Sequence, residues 1–81
     1  MNWLELADTG LVRPERIVAV GPADAAGMAR LLRVTPQDRI VVLTGGRKRR
    51  SVLVLDSGHV VVTALTVEEI RDWAARAGGQ E

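Results

Sequence analysis

Hydrophobic residues occur along the chain in short runs that glycine and proline interrupt. Five runs have the alternation or the β-branched content of strands, at residues 3–7, 16–20, 40–44, 51–55 and 59–65. The last three are joined by two connections with the composition of hairpin loops, residues 45–50 and 56–58. The pattern therefore predicts a small antiparallel sheet of about five strands, with the last three strands in a meander.

Two further segments have helical periodicity. The first starts after Gly21 with Pro22, and Met28, Leu31 and Leu32 give it one apolar face at i, i+3, i+4 spacing. The second starts at Thr66, which together with Glu69 has the spacing of a capping box, and we expect its helix to span about residues 67–77. The predicted order is β-β-α-β-β-β-α, a single α+β domain over residues 1–81.

The central strands are apolar at consecutive positions rather than at alternate ones. Residues 52–55 and 60–62 consist of Val and Leu only, so both faces of these strands require cover. We expect the two helices to cover one face and a second subunit to cover part of the other. The sequence thus predicts a homo-oligomer.

Composition excludes several kinds of site. Cysteine is absent, which excludes disulfides, thiolate metal sites and a cysteine nucleophile. Aromatic residues are limited to two Trp, too few for a platform that stacks single-stranded bases. No apolar run is long enough to span a membrane, and the N-terminus lacks the features of a signal peptide. We expect a soluble, cytoplasmic protein.

The candidates for catalysis are few. His59 is the only histidine, and Asp56 and Ser57 lie within four residues of it. Triad side chains converge from different elements, whereas residues this close along a turn usually bond their own backbone. The sequence therefore predicts a non-enzymatic protein with no catalytic residue, no metal, no cofactor and no small-molecule substrate.

Positive charge is concentrated in one part of a nearly neutral chain. The formal net charge is +1, yet residues 39–55 contain five basic residues and no acid. Four of the five follow Gly45-Gly46, namely Arg47, Lys48, Arg49 and Arg50. The glycine spacing of a nucleotide-hydrolysing loop is missing, and a strand rather than a helix follows. Two interpretations remain: a solvated charge run that protects a sheet edge, or a site for phosphates.

Several blocks of sequence also resemble a known family, the RemA-like extracellular-matrix regulatory proteins of bacteria. The similarity extends over about residues 6–70. Its blocks are Gly10-Leu11-Val12 before Arg16-Ile17-Val18-Ala19-Val20 and Pro22, then Thr44-x-Gly46-Arg47-Lys48-x-Arg50, then Asp56-Ser57-x-His59-Val60 with Thr63-Ala64.

The resemblance implies a fold like the LytTR DNA-binding domain and a transcriptional regulator, linked in the family to the biofilm matrix. It also implies a closed homo-oligomeric ring, a heptamer or an octamer, with double-stranded DNA wrapped around its outside. The family's DNA-contacting positions fall on Arg16, Arg47 and Lys48, and Arg50 matches a further basic position. Arg49 adds a charge where the family commonly has threonine.

Together these arguments predict DNA binding through Arg16, Arg47, Lys48, Arg49 and Arg50, with transcriptional or nucleoid-architectural consequences. Two competing functions use the same basic residues. One is a ring-forming adaptor that binds an acidic protein or an anionic membrane surface, and the other is RNA binding.

Overall fold

A computed structural model of the chain describes residues 4–5 and 10–78. It contains six short strands and two α-helices, with single 3-10 turns at Pro14–Arg16 and Gln37–Arg39. In chain order the elements are β1 (Leu4–Glu5), β2 (Leu11–Val12), β3 (Ile17–Pro22), α1 (Ala26–Val34), β4 (Ile40–Leu43), β5 (Ser51–Leu55), β6 (Val60–Thr63) and α2 (Val67–Gly78). This confirms the predicted α+β class and both helices.

The main sheet has four strands in the order β3-β5-β6-β4, and β1 and β2 form a separate antiparallel pair. Only residues 4–5 of the first predicted strand are described as a strand, and residues 3, 6 and 7 lie outside the described part. Pro22 was expected to open the first helix, but it is the last residue of β3, opposite Ser51. The helix begins four residues later, after the turn at residues 23–25.

The predicted meander is wrong in one respect. β5 pairs with β6 in antiparallel fashion, as expected, but β4 pairs with β6 in parallel and does not contact β5 in the sheet. Residues 44–50 therefore cross over the end of β6 rather than closing a hairpin. The sheet is mixed, and β3 and β4 are its two edge strands.

The expectation that both helices lie on one face is also wrong. Successive residues of a strand point to opposite faces. Leu53 and Val61 are buried in a cluster with Ile70 and Trp73 of α2, whereas Val52 and Val60 are buried against Met28, Leu31 and Leu32 of α1. The two-sided apolar strands thus receive one helix on each face. Because helices already cover both faces of the central strands, these strands do not require a second subunit.

Gly21 permits the close approach of α1 to β3. A Cβ at this position would lie 2.6 Å from Cε of Met28 and 2.9 Å from its Cγ. No such contact exists at Gly27, where an added Cβ would meet nothing within 4 Å. The glycine that packing requires is therefore in the strand and not in the helix.

Candidate nucleic-acid interface

The basic loop, residues 45–50, begins with a tight turn built on two glycines. Gly45 and Gly46 have φ angles of 62° and 81°, the left-handed region that side chains disfavour. The N–H of Arg47 donates to the carbonyl of Thr44 at 3.1 Å and closes the turn. The turn reverses the chain after β4 and leads residues 47–50 across the end of β6.

The end of the basic loop is fixed by hydrogen bonds on both sides. The N–H of Arg50 donates to the carbonyl of Thr63 at 2.8 Å, and its carbonyl accepts from the N–H of Ala23 at 2.9 Å. Both bonds use backbone atoms of Arg50, so its side chain does not contribute to them. The loop is therefore held by the sheet while its cations can vary without loss of these bonds.

Two buried hydroxyls fix the chain between β6 and α2. Ser51 and Thr63 are fully buried. Ser51 Oγ donates to the carbonyl of Leu65 at 2.6 Å, and Thr63 Oγ1 accepts from the N–H of Leu65 at 3.2 Å. Burial without partners would be costly for both groups. These bonds hold the segment before α2 against the sheet end from which the basic loop projects.

The capping box predicted at the start of α2 is present. The N–H of Glu69 donates to Thr66 Oγ1 at 3.1 Å, and Glu69 Oε1 accepts from the N–H of Thr66 at 2.8 Å. The helix consequently begins at a defined residue, Val67, close to the basic loop.

All four cations of the basic loop are exposed. They lie beside two open cavities, one on each side of the loop. Lys48, Arg49 and Arg50 line a cavity of about 430 Å³ at the start of α2, here called the α2 cavity. Arg47 and Arg49 line a second cavity of about 370 Å³, which also contains Ile40 and Val42 of β4. Arg49 borders both cavities.

Arg16 lies away from the other predicted contacts. It immediately precedes β3, whereas Arg50 precedes the antiparallel strand β5, so the two are at opposite ends of the sheet. A strand of six residues separates these ends by about 17 Å. Arg16 Nε forms an ion pair with Asp56 Oδ1 at 3.0 Å. The structure thus brings together Arg47, Lys48, Arg49 and Arg50, and places Arg16 elsewhere.

The turn between β5 and β6 accounts for the residues that looked like a triad. Ser57 Oγ lies 2.7 Å from His59 Nδ1, and the N–H of His59 donates to Ser57 Oγ at 3.4 Å. Asp56 pairs with Arg16 instead of orienting the imidazole. Gly58, with φ of 92°, supplies the left-handed residue of the turn. The Ser57–His59 contact is local to the turn, as the sequence predicted.

Sequence inspection missed one basic residue near the loop, Arg71. It lies on the first turns of α2 and lines the α2 cavity together with the cations of the basic loop. Its neighbours in the sequence, Glu68, Glu69 and Asp72, gave that helix an acidic appearance. No signal within the helix could have placed Arg71 there, because its proximity depends on the path of residues 63–66.

Within residues 4–5 and 10–78, no cluster of three or more His, Cys, Asp or Glu side chains is suited to a metal ion. None of the helices described is both long and apolar enough to cross a membrane.

Comparison with known proteins identifies the family. The family model described as "RemA-like: Extracellular matrix regulatory protein A-like" matches residues 4–72. The chain belongs to the RemA-like family. The match includes every residue predicted to contact DNA and all strands of the main sheet, and it ends within α2.

Curated relatives of this RemA-like chain agree with that assignment. A protein of Dictyoglomus turgidum is 40% identical over 80 residues, which cover 98% of this chain and 91% of the relative. A protein of Leptospira biflexa is 37% identical over 68 residues, 83% of this chain and 72% of the relative. Both carry the name "Putative regulatory protein". The family and these names indicate a regulatory protein rather than an enzyme.

Proposed function

We propose that this RemA-like protein regulates transcription or organises the nucleoid as a homo-oligomer that binds the phosphates of double-stranded DNA. The observation that carries the proposal is the basic loop, which holds four exposed cations at a turn whose backbone is fixed to the sheet. Lysine and arginine at fixed positions neutralise phosphates and release counterions, which drives association with DNA. A role in regulation agrees with the family.

Within this proposal the basic loop makes the main contact. Lys48 and Arg50 contact phosphates on one side of the loop and Arg47 on the other, while Arg49 adds charge between them. Arg16 contacts a separate phosphate, because the length of the sheet lies between it and the loop. One subunit offers too few contacts for tight binding at physiological salt. Repetition of the loop in an oligomer raises the affinity through effective concentration.

The exposed edges of the sheet favour contact with another copy of the chain, whereas the faces of the central strands are already covered by the helices. β4, with the sequence Ile-Val-Val-Leu, is an edge strand without charge, proline or bulge, and Val42 is 65% exposed. Such an edge is open to pairing with another chain. At the opposite edge, Val18 of β3 is also 65% exposed. Contact between these different edges is heterologous, and such contacts generate closed rings when the rotation closes.

We expect the protein to be oligomeric and Val42→Lys to shift it toward the 8.8 kDa monomer. A lysine on the exposed face of β4 places a hydrated charge in the contact with the next copy. Light scattering coupled to gel filtration, at micromolar protein, measures the mass. Val34→Lys is the matched control, since Val34 is 69% exposed but lies on α1. A monomeric wild-type protein would contradict the assembly, and dissociation by both variants would move the interface to α1.

Recognition of DNA should depend on salt and only weakly on base sequence. Each neutralised phosphate contributes about −0.9 to the slope of log K against log salt, so contacts from several subunits give a steep slope. The described helices present no row of side chains suited to reading base edges in a major groove. Preference for bendable or A·T-rich DNA would then arise from deformability.

A salt titration tests this on long duplexes, one from a promoter and one of random sequence, with RNA and anionic vesicles as competing ligands. The expected result is a steep slope on both duplexes with modest discrimination between them. A shallow slope with strong, salt-insensitive preference for one short sequence would show direct base readout. Tighter binding to RNA or to vesicles than to DNA would show that DNA is not the preferred ligand.

A further inference from the structure

The α2 cavity is formed by three separate segments of the chain. Pro22 and Asp24 come from the connection after β3, Lys48, Arg49 and Arg50 from the basic loop, and residues 66–68 and 71 from the start of α2. Each segment is held by hydrogen bonds that do not involve a ligand. The N–H of Ala23 donates to the carbonyl of Arg50, and Ser51 Oγ donates to the carbonyl of Leu65. The capping box with Glu69 fixes Thr66. The backbone that carries the cavity is therefore fixed without a ligand.

The charges around this cavity are not balanced. Four cationic side chains line it, from Lys48, Arg49, Arg50 and Arg71, against the two carboxylates of Asp24 and Glu68. Among the described residues, the ion pairs are Arg13 with Glu15 and Arg16 with Asp56, so none of the four cations is directly paired. An excess of two positive charges at a concave surface attracts a multiply charged anion.

The polar groups fit a phosphoryl group. Arginine presents planar pairs of N–H donors that match phosphate oxygens, and lysine adds a point charge. Thr66 Oγ1 already accepts from the N–H of Glu69. Its own hydroxyl proton is consequently available to donate to an anion in the cavity. The volume of about 430 Å³ lies in the range of sites for small molecules.

We propose that the α2 cavity binds a small phosphorylated molecule with at least two negative charges on its phosphate groups, such as a nucleoside diphosphate or triphosphate. The ligand is bound and not transformed. A DNA backbone phosphate carries a single charge, so it satisfies the excess of two positive charges less well than a terminal phosphate or a diphosphate. Arg71 is the residue that the cavity adds to the cations of the basic loop.

The same ligand regulates DNA binding if the proposed function holds, because Lys48, Arg49 and Arg50 serve both. Occupation of the α2 cavity neutralises these side chains and leaves fewer charges for the DNA backbone. DNA affinity should then fall as the ligand is added at constant ionic strength. This consequence rests on the proposed function, whereas binding of the ligand itself does not.

Calorimetric titration of the protein with pyrophosphate, without DNA and in low salt, tests the site. The expected result is saturable binding that is tighter than binding of dimethyl phosphate, which has the single charge of a DNA phosphodiester. Adenosine, which lacks phosphate, should not bind. Absence of saturable pyrophosphate binding at millimolar concentration, or equal affinity for dimethyl phosphate, would overturn the proposal.

Three variants locate the binding to the cavity. Arg71→Gln should weaken pyrophosphate binding by about five-fold, since it removes one partly exposed charge contact. Arg30→Gln, an exposed arginine on α1 that does not line the cavity, is the matched control and should have no effect. Glu68→Gln should strengthen binding by about three-fold, a gain that partial unfolding could not produce. Equal effects of Arg71→Gln and Arg30→Gln would overturn the assignment.

The two proposals fail separately. If DNA binds and pyrophosphate does not, the ligand site is wrong and the proposed function stands. If pyrophosphate binds in the expected order and DNA does not, the proposed function is wrong and the ligand site stands.

Discussion

Replacement of Lys48 and Arg50 together by alanine should reduce affinity for double-stranded DNA by roughly 60-fold at about 0.1 M salt, for each subunit in contact. With one phosphate contact from each side chain, each substitution removes about 0.9 from log K at that salt. It should also make the slope of log K against log salt less steep by about two for each such subunit. Both residues are exposed, and the hydrogen bonds of Arg50 use its backbone. Folding and assembly should therefore persist.

The matched control is the double variant Arg30→Ala/Arg33→Ala. It removes the same charge from the exposed surface of α1. Fluorescence anisotropy on one labelled duplex, over a range of salt, gives both affinity and slope, and gel filtration confirms that each variant keeps the wild-type mass. If both double variants weaken DNA affinity equally, the loss follows from net charge and not from the position of the basic loop. Unchanged affinity in Lys48→Ala/Arg50→Ala would exclude these phosphate contacts.

The largest effect on stability should come from Leu53→Ala. Leu53 is fully buried and packs in the cluster that contains Val61 and Ile70. Truncation of a buried leucine lowers the free energy of unfolding by about 2–5 kcal/mol, through lost burial and the cavity that remains. The whole free energy of unfolding of a small domain is only about 5–15 kcal/mol, so the variant should be partly unfolded at moderate temperature.

Urea denaturation followed by circular dichroism measures this loss. Protein concentration must be the same for all variants, since the proposed assembly would contribute to apparent stability. Val34→Ala is the control, because Val34 is 69% exposed and its truncation should change the free energy by less than about 0.5 kcal/mol. A loss below about 1 kcal/mol for Leu53→Ala would mean that the cluster around α2 is not the main core.

Local features of the fold were predictable because neighbouring residues determine them. The capping box of Thr66 and Glu69 has both of its hydrogen bonds. The turn at residues 56–58 closes the antiparallel pair of β5 and β6, as its composition indicated. Gly45 and Gly46 do form a tight turn. In each case the interaction joins residues a few positions apart, which the sequence displays directly.

Pairing between distant segments was not predictable in the same way. The Ile-Val-Val-Leu run of β4 could pair with β5 or with β6, and no residue near it indicates that β6 is the partner. Composition identified the turn after β4 but not the strand that the turn leads past. The cover of each sheet face by a different helix also depends on which face each helix reaches, and the helical stripes alone do not reveal that.

The candidate site also combines local features, which the sequence shows, with contacts between distant segments, which it does not. Four of the five predicted contacts are consecutive in sequence, and the structure places them around one loop. Arg16 was included from family resemblance, and the strand between it and the loop explains its separation. Arg71 was missed because it approaches the loop only through the buried bonds of Ser51 and Thr63 to Leu65.

The parallel pairing of β4 with β6 has a consequence for the order in which the chain folds. The hairpin of β5 and β6 closes a loop of a few residues, so it can form early at little entropic cost. We expect β4 to join β6 after that hairpin has formed, because its partner lies about twenty residues further along the chain. The crossing at residues 44–50 then closes, and β3 joins later still, because it pairs with β5 over a longer stretch of chain. Substitutions in β4, which joins after the hairpin, should therefore accelerate unfolding more than they slow folding.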